Sequence, residues 1–571
     1  MIASNRRLPS GRVLILGEDT RSFLAVVRSL GRSGLDVHVG NAPPESPSLR
    51  SRYIKYAHEL PLYHAGETAW IDKLNELVKM WDFDLVIPCH DSSIVPLQSN
   101  RRRLEKPERF YLVSDEAFEV FFDKIKTYGL ANKLAVRVPR QRVINSKREL
   151  QDVASELGFP LVLKPPSSVK GDSPALRREV RKFRNLDEIC DLSEEDLGSD
   201  FAAQENFVGI GVGVELLALQ GEILTAFQHE RVHEAPTGGI SGYRKSVPLD
   251  PELLDAARLL VSSVRYTGVC MIEFKRNPCS GDWVLIEINA RFWGSLPLSV
   301  AAGIDFPSYL YQMLCLGTRQ FPASYHYDRY ARNWLIDAYW FRANMRADHA
   351  DPTLITVANS RIVHEFGNLL LFRESNDTLK LYDPVPGLAE IWLEITDRLR
   401  QRYRKLSIPR YLLEKRATLA LTNARNVLFV CYGNICRSPF AEALMRKDGA
   451  NAREYRSAGF HPIDSRPSPP LAVNAAMEVG VPLEAHRSAT INERLVQWAD
   501  VVFIFDSSHE KTFNSQFPRF KDKVHYLGAL NKSCPLEIHD PYGQDPGLFK
   551  SCFAHIRSVI EIAIARTKRE L

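Results

Sequence analysis

Short apolar runs alternate with stretches of helical spacing along most of this chain. Residues 12–17 read as a buried strand ending in a glycine turn, 23–33 as a helix, and 35–39 and 84–88 as two further strands. Strands and helices in this alternation predict a doubly wound α/β unit over about the first 115 residues. In the middle of the chain, 159–164 is a buried strand whose last residue is Lys164, and 267–275 and 283–289 are strands flanking the turn-rich loop 277–282. The aromatic and apolar stretch 334–345 is expected to pack on this middle region. From 385 onward the composition is helical, with a break at Pro409. The alternation then restarts. Residues 427–430 form a short strand, Ser438 is suited to cap a helix and Pro439 to begin it, and Ala441, Leu444 and Met445 fall at helical spacing over 440–447. Residues 500–506 supply the next central strand.

A chain of 571 residues is too long for one core and should hold three or four compact units. It is 45% hydrophobic and 25% charged with a formal net charge of +5, an ordinary balance that gives no reason to expect a nucleic-acid partner. Nine cysteines occur without metal-ligand or disulfide spacing, and no signal peptide is evident, so a reducing cytoplasm is expected. No apolar run approaches the ~18 residues a membrane span needs. The basic run 397–405 could lie on an anionic membrane, but a solvated face of a linking helix is the preferred reading, so no membrane contact is expected.

The chemistry concentrates in two places. Cys431-Tyr-Gly433-Asn434-Ile-Cys436-Arg437-Ser438-Pro439 joins a strand to a helix N-terminus, where loop amides and the helix dipole favour an anion. Cys431 and Arg437 stand at the two ends of that loop, so both can face one phosphate. Arg437 can grip two oxygens and, with the amides, hold Cys431 as the nucleophilic thiolate. The bland alternative is a buried cysteine in an ordinary βα turn. The second place is the pair of strands about Ser280. Paired as an antiparallel hairpin, they set Glu273 opposite Glu287 and leave Asn289 on the face of Glu287, an oxygen set suited to Mg²⁺ on nucleotide phosphates. Arg291 follows, placed to steady a transferred phosphoryl group. The N-terminal unit lacks G-x-G-x-x-G, so dinucleotide binding is unsupported, and His90-Asp91 at a strand end is read as a turn.

The loop, quoted as V-C-x-G-N-x-C-R-S-P, resembles the low-molecular-weight protein tyrosine phosphatases, and the likeness runs from Asn426 to Leu571. It implies a cysteine phosphatase needing no cofactor, with Cys431 as nucleophile, Arg437 on the phosphate and Ser438 bonded to the thiolate. Asp540, in Asp540-Pro541-Tyr542, would be the acid and then the base. Gly433, Asn434, Cys436, Ser457 and His486 would support the loop, with Ser457 and His486 orienting Asn434. Cys436 would lie close enough to form a protective disulfide with Cys431. The family often has methionine at the position of Phe505, and its arginine-phosphatase branch has threonine at that of Ile435. Phosphotyrosine or another aryl phosphate is therefore the expected substrate.

Residues 121–311 resemble the ATP-grasp superfamily, most clearly in Glu287-Ile-Asn289-Ala-Arg291-Phe-Trp-Gly294-Ser295. That resemblance implies ATP and Mg²⁺. Lys124 and Lys164 would contact the phosphates, Gln204, Glu205 and Phe207 line the adenine pocket, Glu215 meet the ribose, and Glu273, Glu287 and Asn289 hold the metal. The loop 167–172 would cover the phosphates. The expected architecture is α/β multidomain. A Rossmann-like pre-ATP-grasp domain spans 1–115, ATP-grasp α+β domains 116–325, an accessory and helical linker region 326–424, and a small doubly wound phosphatase domain with a central parallel sheet 425–571. The expected function is bifunctional: a tyrosine phosphatase joined to a ligase that activates an unknown carboxylate as acyl phosphate for an amine or thiol acceptor. Two alternatives stay open. The ATP-grasp part could be a nucleotide-binding regulatory or scaffold module, or the phosphatase could act on a small-molecule phosphate.

Overall fold

Four parallel strands open the structure, in the spatial order Ile54–His58, Asp36–Gly40, Arg12–Leu16, Leu85–Pro88. Parallel pairing needs crossovers, and the helices Ser22–Arg32 and Ala69–Trp81 provide them. Alternation along the strands sorts the side chains. Val13, Ile15, Val37 and Ile87 join a core with Leu217, Phe227 and Val269, whereas Leu14, Leu16 and Val86 pack on Trp70, Leu74 and Val78. The strand Ile54–His58 escapes the hydrophobic pattern because it is an edge with its three middle residues exposed. This computed structural model describes all residues except 1–7, 18–20, 44, 62, 64–65, 67, 166–168, 171–172, 178–179, 191, 193–200, 237, 350, 352, 372, 405, 449–452, 462–463, 543–545 and 568–571. They divide into two units, Met1–Leu393 and Glu394–Leu571.

Within the first unit, a seven-stranded sheet runs Trp283–Asn289, Gly268–Arg276, Ile210–Leu219, Glu222–Glu234, Ser241–Val247, Tyr330–Arg332, Glu374–Asn376. Every neighbouring pair is antiparallel except the last. The region beyond 325, which carries no motif, thus contributes two strands to this sheet as well as a helix. That helix, Trp334–Arg346, is fastened by Trp340, whose Nε1 donates to Glu234 O at 2.8 Å and whose ring stacks on His233 at 3.5 Å. A separate four-stranded antiparallel sheet holds Gln141–Ile144, Phe201–Glu205, Leu161–Lys164 and Arg181–Phe183. The expected phosphate-covering loop at 167–172 lies outside the described residues, apart from a strand at Val169–Lys170.

The second unit is built on four parallel strands ordered Glu454–Gly459, Asn426–Cys431, Val501–Ile504, Val524–Tyr526. Asn426–Cys431 lies inside, and Val427 to Val430 are wholly buried, as a central strand covered on both faces requires. The helix break expected at Pro409 falls earlier. One helix ends at Arg404 and the next starts at Ser407, so Pro409 sits in a first turn, where its missing N–H costs nothing. Nor is the basic run merely solvated: Arg404 donates to both oxygens of Glu510 at 2.9 Å and to Tyr526 Oη at 2.7 Å. Among the described residues, no helix is long and apolar enough to cross a membrane.

Candidate active sites

Cys431 ends the strand Asn426–Cys431, and the helix Arg437–Asp448 begins after only five intervening residues. The connecting backbone must turn tightly, and it does so at Asn434, whose φ of 52° is one that asparagine tolerates better than most residues. The neighbouring strand comes close enough that a Cβ on Gly459 would stand 2.7 Å from Tyr432 O and 2.9 Å from Asn434 N. Only a glycine lets the loop sit there. Asn434 is fully buried and serves as a hub. Its N–H donates to Cys431 Sγ at 3.2 Å, its Nδ2 to Ser438 Oγ at 2.9 Å and Ser457 Oγ at 2.8 Å, and its Oδ1 accepts from Ala489 N at 2.8 Å. His486 Nε2 lies 2.8 Å from Asn434 O and donates to it. Burial lowers the pKa of His486, so the ring is neutral and carries its proton on that nitrogen.

Ser438 was expected to cap the helix. The helix instead begins at Arg437, which frees the Ser438 hydroxyl to lie 3.0 Å from Cys431 Sγ. Arg437 is almost wholly buried. Its Nη1 donates to Asp506 Oδ2 at 2.8 Å and Ile538 O at 3.0 Å, and its Nη2 donates to Asp540 Oδ2 at 2.7 Å. The Phe505 ring lies 5.7 Å from the guanidinium carbon, so this aromatic replacement supports the arginine from beneath. The remaining nitrogen, Nε, is buried and has no partner among the described residues. A buried guanidinium N–H beside the Cys431 sulfur is a donor that an anionic oxygen would satisfy. Asp540 keeps its side chain 48% exposed, so it can reach a substrate oxygen while bonded to Arg437. Cys431 and Cys436 are both free thiols in this structure. Burial, then the Asp540 charge, holds the Cys436 pKa well above the usual value.

In the first unit the strand register pairs Glu273 with Glu287 and Met271 with Asn289, with a bulge directly after Glu273. Glu287 accepts from Asn289 Nδ2 at 3.1 Å, and Lys124 Nζ stands 3.3 Å from its other oxygen. Burial disfavours the Glu287 charge, but Lys124, the Asn289 amide and Lys164 outweigh it and hold this carboxyl below its ordinary range. Burial dominates at Glu273 and raises it, although Arg231 Nη2 donates to it at 2.6 Å. Lys164 is buried with its Nζ 3.3 Å from Tyr128 Oη, and burial followed by the Lys124 charge lowers its pKa to about 8. Gln204 Nε2 reaches the same hydroxyl at 3.5 Å, and Tyr128 itself donates to Ile286 O at 2.6 Å. Tyr128 therefore links Lys164 and Gln204 to the Glu287 strand.

The other expected residues are placed less uniformly. Glu205 binds Arg140 through both carboxylate oxygens at 2.9 and 2.6 Å. Phe207 borders a cavity of about 500 Å³ with Asn132, Val136 and Trp283, and its carbonyl accepts from Lys275. Glu215 does not join the set. It has no exposed surface, Ser295 Oγ donates to it at 2.7 Å, and His229 Nδ1 lies 2.9 Å away but off the line a hydrogen bond needs. A ribose contact would require that packing to open. Arg291 is held by Asp91 through Nε at 2.6 Å and Nη2 at 3.2 Å, so Asp91 is an ion-pair partner rather than a turn residue.

Comparison with known proteins bears on both regions. Residues 426–571 match the model of the low molecular weight phosphotyrosine protein phosphatase family. The protein-arginine-phosphatase of Bacillus subtilis (strain 168) is 31% identical over 149 residues, which cover 25% of this chain and 98% of that protein. This chain belongs to the low molecular weight phosphotyrosine protein phosphatase family. The phosphatase Wzb of Escherichia coli (strain K12), a low molecular weight protein-tyrosine-phosphatase, is 31% identical over 136 residues, covering 24% of this chain and 88% of that protein. Residues 201–330 match a family described as ATP-grasp in the biosynthetic pathway with Ter operon, so the phosphatase is joined to an ATP-grasp module. The biotin carboxylase domain of Hydrogenobacter thermophilus 2-oxoglutarate carboxylase covers 56% of this chain and 73% of that chain at 15% identity, with a TM-score of 0.46.

Several side chains in these sites gave no signal in the sequence of this phosphatase. Arg231 and Tyr128 meet their partners across 42 and 36 residues of chain. Glu442, on the first helix, accepts from Ser457 behind the loop. Its spacing from Ser438, one helical turn, is the only hint that could have singled it out.

Proposed function

We propose that this protein hydrolyses phosphotyrosine, or a related aryl phosphate, through a phosphocysteine on Cys431. The observation that carries this reading is a sulfur approached by Asn434 N–H and the Ser438 hydroxyl, beside an arginine that binds the exposed Asp540 and whose buried Nε has no partner among the described residues. Cys431 Sγ attacks phosphorus, the P–O bond to the aryl group breaks, and Asp540 gives its proton to the leaving oxygen. Asp540 then takes a proton from water as that water attacks phosphorus. The S–P bond breaks, and Ser438 stabilises the released thiolate. Arg437 and the loop amides bind the phosphoryl oxygens throughout. Ile435, buried at the loop and 3.3 Å from where a Gly433 Cβ would stand, favours an aryl substrate over phosphoarginine. The arginine phosphatase among the relatives keeps that second reading in play. Ile435→Thr that gains phosphoarginine hydrolysis while losing p-nitrophenyl phosphate hydrolysis would support the choice; a parent that prefers phosphoarginine would reverse it.

The ATP-grasp module, extended through the sheet strands to residue 376, is proposed to be a Mg·ATP-dependent ligase acting on a carboxylate and an amine or thiol. Two carboxylates and an amide in register make a donor set that fits Mg²⁺. Glu273, Glu287 and Asn289 would hold the ion, which when bound neutralises phosphate charge. Lys124 and Lys164 would bind phosphate oxygens, and Arg291, oriented by Asp91, would meet the transferred group. A reducing cytoplasm suits the thiolate chemistry. Steady-state p-nitrophenyl phosphate hydrolysis by the full chain, abolished in Cys431→Ser, tests the first activity. ADP release dependent on added carboxylate and acceptor tests the second, and tight ATP binding with no turnover on any such pair would instead favour a regulatory module.

A further inference from the structure

We infer that Arg466 is a positioning residue of the phosphate loop, orienting the Gly433–Asn434 peptide so that its N–H faces the Cys431 sulfur. This rests on the phosphatase reading above. Arg466 Nη2 donates to Gly433 O, and the guanidinium lies 3.5 Å from where a Gly433 Cβ would stand. Gly433 O and Asn434 N belong to one peptide unit. In a trans peptide the carbonyl and the N–H point in opposite directions. A cation gripping the oxygen from outside therefore turns the N–H inward, and that N–H is the one 3.2 Å from Cys431 Sγ. It also polarises the peptide, which strengthens the N–H as a donor to negative charge.

The next peptide is held in the same way. His486 donates to Asn434 O, so two successive loop carbonyls are clamped from outside and two successive amides are turned toward the anion site. The segments that carry the two clamps are tied to each other. Arg466 N donates to Ser488 Oγ at 3.0 Å, Ser488 N donates back to Arg466 O at 2.9 Å, and Ala489 N binds the Asn434 side chain. Arg466 is thus fixed at its backbone as well as its tip, unlike a surface arginine that happens to lie nearby. Burial draws its pKa below the usual arginine value, while Tyr542 and then the Cys431 sulfur work against that shift, so its charge is felt at the nucleophile.

The test uses the full chain with Arg466→Met, which keeps length but removes the donor, and Arg466→Lys, which restores one. In Arg466→Met, kcat/KM for p-nitrophenyl phosphate is expected to fall about tenfold or more, as for a lost charge-assisted hydrogen bond. The inhibition constant of inorganic phosphate should rise, alkylation of Cys431 by iodoacetamide at mildly acid pH should slow several-fold, and the acid limb of the rate profile should move upward. Arg466→Lys should recover most of each. Arg466→Met with parental alkylation and phosphate affinity would overturn the inference. So would equal losses in both variants that track a lowered Tm, since those describe a structural tether only. Alkylation and phosphate binding do not require turnover. A parent without phosphatase activity would therefore sink the phosphatase reading while these two measurements still decide the role of Arg466.

Discussion

The two modules hold charge in opposite ways. Around Cys431 the protein gathers donors suited to an anion, and one of them, Arg437 Nε, has no partner among the described residues. Around Glu273 and Glu287 it has arranged acceptors for a cation and then neutralised them itself, with Arg231 on one and Lys124 on the other. The phosphatase loop is rigid because its oxygens and amides are bound from behind by Ser457, His486 and Arg466, so binding costs little reorganisation. On the proposed reading the other site would exchange partners: Lys124 would pass from the Glu287 carboxylate to phosphate, and a metal would take its place.

Removing the acid should give the largest separation between the two modules. Asp540→Asn is expected to cut kcat for p-nitrophenyl phosphate by about a hundredfold or more while leaving ATP binding untouched. A phosphocysteine should be trapped on Cys431 by rapid acid quench, because dephosphorylation also needs the carboxylate. Next is Glu287→Ala, which removes the partner of Lys124. ATP affinity in the presence of Mg²⁺ should fall by more than about tenfold, and Mg²⁺ should no longer improve it. Calorimetric titration with and without the metal reads both. Equal ATP binding in parent and variant would mean that the facing carboxylates do not form the metal site. Tyr128→Phe should have a smaller effect, about threefold to tenfold on ATP affinity, since it removes one neutral hydrogen-bond partner from Lys164 and Gln204.

A further effect is on stability. Burial lowers His509, beneath the phosphatase loop, to about 4 from an ordinary value of 6.5. The folded protein therefore refuses a proton that the unfolded chain accepts between those values. The stability contributed by the neutral ring is present above the ordinary value and is lost as pH falls toward about 4, with a limiting slope of about 1.4 kcal/mol per pH unit. Thermal unfolding of the phosphatase transition followed down that range should lose less in His509→Gln than in the parent.

Legibility in the sequence followed contiguity. The Cys431–Ser438 loop carries its chemistry within eight consecutive positions, and both strands of the 268–289 hairpin are apolar enough to set their own register, so Glu273 opposite Glu287 could be read directly. The parallel sheet of the first 115 residues was legible in its buried strands and not at its exposed edge, Ile54–His58. What stayed hidden were single residues in segments without a motif. Arg466, Arg231 and Tyr128 meet their partners only because folding brings them together, whereas Asp91 was visible at its strand end and read as a turn. Glu215 is the converse case: it was singled out from the sequence, and folding packs it against Ser295 and His229 with no exposed surface.

The contrast between the modules is tested most directly by one chelation experiment on the full chain. In a single preparation treated with EDTA, p-nitrophenyl phosphate hydrolysis and ATP binding are measured, and both are repeated after Mg²⁺ is restored. Hydrolysis should be unchanged throughout, because the proposed phosphatase chemistry runs on Cys431, Arg437 and Asp540. ATP binding should be weak under EDTA and recover with Mg²⁺. Hydrolysis that disappears with the metal, or ATP binding indifferent to it, would contradict the account.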